Sequence, residues 1–148
     1  MVTSTRERVP MNTDACINAD IRRKTENNIA YYAAGGPDAI TRRLAELDDE
    51  WDIERMLETN AATATLIGMT LGVTVSKKWF VMPAVIAGFL LQHAVQGWCP
   101  PLPVLRRMGF RTAGEIDYER YALKALRGDF RNVAEAGTAA HALQAAEC

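Results

Sequence analysis

At 148 residues, with 17 basic against 18 acidic side chains and a formal net charge of −1, the chain is one domain's worth and close to neutral, and no basic face with interleaved aromatics points to nucleic acid. Its three cysteines, Cys16, Cys99 and Cys148, stand far apart with no Cys-x-x-Cys pair, which excludes a disulfide framework and a closed zinc site and favours a reduced compartment. The slightly negative mean hydropathy averages over a strong segregation, because charges crowd into the first 58 positions and into the span after Leu105 and leave the middle nearly bare.

The N-terminal stretch MVTSTRERVPMNTDA has basic residues but no apolar run behind them, so no cleavable signal peptide is expected. Up to about Met11 the chain reads as a loose tail. From Thr13 to about Tyr32, Ile17, Ile21, Ile29 and Tyr32 recur near helical spacing and predict a modest amphipathic helix. Gly35, Gly36 and Pro37 break it, and a second helix opens around Pro37 and Asp38. There Ile40, Leu44, Leu47 and Trp51, loosely continued by Leu57, form one stripe. Arg42, Arg43, Glu46, Asp48, Asp49, Glu50, Asp52 and Glu54 occupy the other faces. These carboxylates read as a solvated face and not as metal ligands, since no histidine lies nearby to complete a Glu-x-x-His pair.

After Glu58 the charges stop. Thr59 to Ser76 contains no ionisable group, and at about 1.5 Å per residue it spans roughly 27 Å, just under the hydrocarbon core of a bilayer. Thr63, Thr65, Thr70 and Thr74 make it only moderately apolar, but threonine hydroxyls can return to backbone carbonyls and so cost less in lipid. Ala64, Gly68 and Gly72 fall four apart and let another helix approach closely. Lys77 and Lys78 form the turn. A second uncharged arm follows from Trp79 to Leu105, with Trp79 and Trp98 spaced as two interfacial anchors. Ala84, Gly88, Gln92 and Gln96, again four apart, are expected to face the first stripe and hide both amides from lipid. His93 lies one residue off that stripe and about a turn before Trp98. An ionisable group in a membrane is a functional candidate, against the plainer reading of a hydrogen-bonded or snorkelling ring near the interface.

The prolines of Trp98-Cys99-Pro100-Pro101-Leu102-Pro103 are expected to end the second arm, with Val104 to Arg107 as a turn at headgroup level. Gly109 closes that turn, and Thr112 with Glu115 forms a capping box. A third amphipathic helix follows, with Ile116, Leu123, Leu126 and Phe130 on one side and Asp117, Glu119, Lys124 and Arg127 mostly off it. The last stretch is alanine-rich. Cys99 is the one weak candidate for catalysis, and its place at a helix C-terminus disfavours the thiolate that chemistry would need.

The segment GWCPPLPVLRRMGFRT resembles the YgaP-like inner-membrane family, whose shared unit is a two-helix transmembrane hairpin ending in a Gly-x-Cys-Pro signature followed by a glycine and a threonine. The matching positions are Gly97, Cys99, Pro100, Gly109 and Thr112. The resemblance covers about 59–112 and implies the hairpin. Some relatives add a rhodanese domain that links them to sulfur trafficking, and this chain has no rhodanese active-site loop around any cysteine.

The expected fold is therefore all-α, a two-helix transmembrane hairpin over 59–112 flanked by amphipathic cytoplasmic helices in 1–58 and 113–148. The expected role is that of a multi-pass bacterial inner-membrane anchor or scaffold, without cofactor or metal. Its partners would be the lipid bilayer, further copies of itself and a cytoplasmic protein. Both termini would be cytoplasmic, from Arg55, Arg106, Arg107 and Arg111 against Lys77 and Lys78. The alternatives are a membrane-bound sulfur or redox accessory acting through Cys99, and a soluble helical bundle in which both uncharged segments are core helices.

Overall fold

The computed structural model describes residues 6–131, and every regular element among them is helical. In chain order these are α1 Arg8–Met11, α2 Ala15–Ala34, α3 Gly36–Asp49, α4 Ile53–Thr74, α5 Val81–Gln96, α6 Leu102–Arg107 and α7 Ala113–Arg127, with a 3-10 turn, Lys77–Phe80, leading into α5. The alanine-rich end, 132–148, lies wholly outside the described residues, Cys148 included.

Two compact units divide the described residues. One holds those through Ile21 together with Trp51–Gly114, and the other holds Arg22–Glu50 together with those from Glu115 on. The units interleave along the chain, unlike the consecutive regions expected from composition, because the N-terminal residues pack on α4 to α6 while α3 packs on α7.

In the unit built from α3 and α7, Ile40, Leu44 and Leu47 pack against Ile116 and Leu123, with Ile29 and Tyr32 at the edge. Glu119 belongs to this buried face, contrary to its expected place off the stripe, and it is fully buried. Its position three after Ile116 and four before Leu123 puts it there. The charge is tolerated because Arg43 Nε donates to Glu119 Oε1 at 2.8 Å while Arg43 Nη1 donates to Glu46 Oε2 at 3.0 Å. The Arg43 guanidinium also lies 5.5 Å from the centre of the Tyr32 ring. Burial works against the Arg43 charge, but the hydrogen bonds to Glu119 and Glu46 outweigh it and raise the arginine's pKa. Leu126 is exposed instead of joining the stripe. Trp51 also leaves its expected stripe, since α3 stops at Asp49 and Asp52 caps α4 by accepting from the Arg55 N–H at 2.7 Å. Leu57 belongs to the other unit's core.

In that other unit, α4 and α5 pack antiparallel, Gly72 lying at the Phe80 ring and Gly68 at Pro83. At the far end of the pair, Val9, Ile53, Leu57, Cys99, Leu102 and Leu105 form a core. The expected loose tail instead packs through α1, which inserts Val9. The second arm stops at Gly97, before the prolines, and α6 forms where a bare turn is expected. Pro101 and Pro103 sit at the N-cap and in the first turn of α6, where a missing N–H costs nothing. Arg106 on α6 is fully buried, donating from Nη1 to the Phe110 carbonyl at 3.1 Å and from Nη2 to Asn18 Oδ1 at 2.8 Å.

The Arg43 and Glu119 pair makes a stability test. Glu119→Ala should cost about 3 kcal/mol by stranding part of a buried charge. Leucine at both positions should restore most of that stability. Chemical denaturation of the full chain, followed by circular dichroism, reads both.

Candidate functional site

The face that joins α4 to α5 is built on small residues. A Cβ placed on Gly68 would lie 2.8 Å from Pro83 Cδ, and one on Gly72 would lie 2.8 Å from Phe80 Cε1. Both glycines are buried and Ala64 is half-buried on the same stripe, so the first arm uses its stripe as expected. The second arm turns differently. Ala84, Gly88 and Gln96 are exposed, Gln92 is half-buried, and a Cβ on Gly88 would meet nothing within 4 Å. The side chains set against α4 include Phe80, Met82 and Pro83, because a notch left by glycine is filled by a large group and not by a second notch.

The first arm's threonines behave as their chemistry requires. The hydroxyls of Thr63, Thr70 and Thr74 donate to the carbonyls of Thr59, Leu66 and Thr70 at 2.8, 2.8 and 2.7 Å. These exposed polar groups therefore carry their own acceptors.

The C-terminal end of α5 is clamped by α1. Arg8 Nη1 donates to the Ala94 carbonyl at 2.9 Å, and Asn12 Nδ2 donates to the Gln96 carbonyl at 2.9 Å. Both satisfy carbonyls that a helix end leaves without partners, and the arginine's charge suits the negative end of the helix dipole. Gly97 is required twice over, with φ of 76° and a would-be Cβ 2.6 Å from the Arg8 carbonyl oxygen. Gly109, at φ 92°, ends α6 in a Schellman motif, the Phe110 N–H reaching the Leu105 carbonyl and the Gly109 N–H the Arg106 carbonyl. Thr112 is buried just before α7, and Pro100 is exposed. His93 is buried, and neither ring nitrogen has a hydrogen-bond partner among the described residues, unlike the bonded or snorkelling ring expected.

Between α4, α5 and α6 lies a cavity of about 370 Å³. Buried Leu57, Cys99 and Leu105 form its floor, and Phe89, Leu90, Pro101 and Val104 are exposed at its rim. Ala61 and Ile86 contribute further carbon, and Asn60 is the only side chain in the wall with an amide. Cys99 is 4% exposed, and burial pushes its thiol above the usual cysteine range, only partly offset by a backbone hydrogen bond from Leu102. The sequence pointed to Cys99 but not to the cavity, which needs α6 folded back across the pair. The one local signal for the α1 clamp was the spacing of Arg8 and Asn12 on one helical face.

No protein-family model, no curated protein and no solved structure matches the chain.

Two outcomes follow from this geometry. Gly68→Val should weaken the α4 and α5 pair by about 1–3 kcal/mol through overpacking against Pro83, and Gly88→Val should leave it unchanged, both read by thermal melts in detergent. Because its thiol is held up by burial, Cys99 stays protonated at neutral pH and gains thiolate only as the pH rises past the ordinary cysteine range. The alkylation rate of a protein with Cys99 as its only thiol, followed against pH, should show that displaced midpoint.

Proposed function

We propose that this is an integral inner-membrane protein in which the uncharged part of α4 and the whole of α5 form a transmembrane hairpin, serving as an anchor or scaffold without an enzymatic step. The observation that carries this reading is the combination of composition and exposure in Lys77–Gln96. The span is 20 residues long with a mean hydropathy of 1.4, and only 6% of it is buried inside the protein. A core helix of a soluble bundle with that composition would be mostly covered. Here Val81, Val85, Leu91 and Val95 are all at least half exposed, and in water each would forgo half or more of the about 1.5–3 kcal/mol that full burial gives. Lipid removes that penalty.

The first arm does not reach the same hydropathy, and three features make it tolerable in lipid. The hydroxyls of Thr63, Thr70 and Thr74 are bonded within the helix, its glycines sit against the second arm, and its charges end at Glu58. The Gly97, Cys99, Pro100, Gly109 and Thr112 pattern, which resembles the YgaP-like hairpin, supports the same reading. So do the flanking arginines, which favour cytoplasmic termini. Ala84 and Gly88 face outward and are the natural place for a second copy, while the unit of α3 and α7 is what a cytoplasmic partner would meet. The sulfur and redox alternative is the weaker one, because burial keeps Cys99 as a thiol.

Carbonate extraction of membranes from expressing cells tests the proposal. The chain should stay in the pellet, and reporter fusions at both ends should report the cytoplasm. Release into the soluble fraction would overturn it.

A further inference from the structure

We infer that the cavity between α4, α5 and α6 holds one acyl chain of an anionic phospholipid, whose headgroup sits at Arg107. The inference rests on the membrane reading above and adds a ligand to it. At roughly 30 Å³ for each water-sized group, the 370 Å³ cavity has room for about a dozen methylenes. That suits a hydrocarbon chain and not a helix. Its wall is almost wholly carbon, with the Asn60 amide and the Cys99 thiol the exceptions, so a ligand with polar groups along its length would lose more hydration there than it regained.

Two observations select a bilayer lipid over other apolar occupants. First, the rim residues Phe89 and Leu90 lie on the span that is itself exposed, so a chain can pass from the surrounding acyl layer into the cavity without crossing water. Second, the charge is placed for a headgroup. Val104 stands at the rim, and Arg107, one turn later on the same face of α6, is exposed and makes no ion pair among the described residues. Its neighbour Arg106 points the other way and is buried on Asn18 and the Phe110 carbonyl. Arg107 is thus available for a phosphate beside the cavity rim, and its planar fork matches that group.

The test is native mass spectrometry of the full chain purified in detergent from carbonate-washed membranes, offered phosphatidylglycerol, phosphatidylcholine with the same acyl chains, or palmitate. One phosphatidylglycerol per chain should be retained, preferred over phosphatidylcholine by about fivefold, the contribution of a single basic residue at an anionic surface. Arg107→Ala should bring the two lipids to equal retention, and Ala61→Trp, which fills the cavity, should abolish both. Where Ala61→Trp fails to accumulate, Cys99 gives a second reading. In a Cys16→Ser, Cys148→Ser protein, phosphatidylglycerol should slow alkylation of Cys99 by N-ethylmaleimide, and an unchanged rate overturns the inference. Equal retention of the two lipids by the unaltered chain, palmitate held as well as phosphatidylglycerol, or a lipid-free dimer also overturns it. A chain that survives carbonate and keeps no lipid removes this inference alone, whereas release by carbonate removes the membrane reading beneath it.

Discussion

Helix α5 carries apolar side chains on every face over its first eleven residues, and among the described residues α4 is the one long helix that packs along it. Everything notable in this unit follows from that mismatch. A largely apolar span of 20 residues, counted with its leading turn, has to be surrounded, and the contact with α4 covers one side only. Where lipid supplies the rest, helix association loses its hydrophobic drive and depends on close packing. Gly68 and Gly72 provide it by bringing the α4 backbone against Pro83 and Phe80. Thr63, Thr70 and Thr74 meet the matching requirement for polar groups, since each of these hydroxyls bonds a carbonyl of its own helix.

The same constraint accounts for the N-terminal segment. A helix end presents carbonyls that need donors, and those of Ala94 and Gln96 receive them from Arg8 and Asn12. The clamp holds because Val9 is anchored in the core with Ile53, Leu57 and Leu102. Gly97 is the residue that lets α1 come so close. What reads along the chain as a tail is therefore a lid on the helix end, joined through partners more than eighty residues away.

Much of this was legible in the residues. The helices, the break at Gly35 to Pro37, the stripe of Ile40, Leu44 and Leu47, the first arm's glycine face and its self-bonded threonines all follow from local spacing and side-chain chemistry. The contact face of α5 did not, because a helix apolar on every side offers no phase to read, and pairing one small stripe with another overlooks that large groups fill small notches. Glu119 was missed for a different reason. Excluding charged residues from an apolar stripe is sound until a guanidinium from another helix is within reach, as Arg43 is. The tail and the cavity depend on contacts between residues far apart in sequence, and no local pattern announces them.

The cavity can be understood as the geometric remainder of these packing demands. Near the turn the glycines let the two arms touch, with no room between Gly72 and the Phe80 ring. At the other end the prolines before α6 swing that short helix back over the pair, and Leu105 and Cys99 rest on Leu57. Three elements meeting at an angle around side chains as small as Ala61 leave a gap that none of them fills. Packing an extra leucine there would be an easy way to close it. The chain instead keeps the gap lined with carbon, open beside the exposed span and one turn from an arginine, Arg107, that makes no ion pair among the described residues. That combination gives it the attributes of a binding site and separates it from a simple packing defect, which has no reason to end beside a charge.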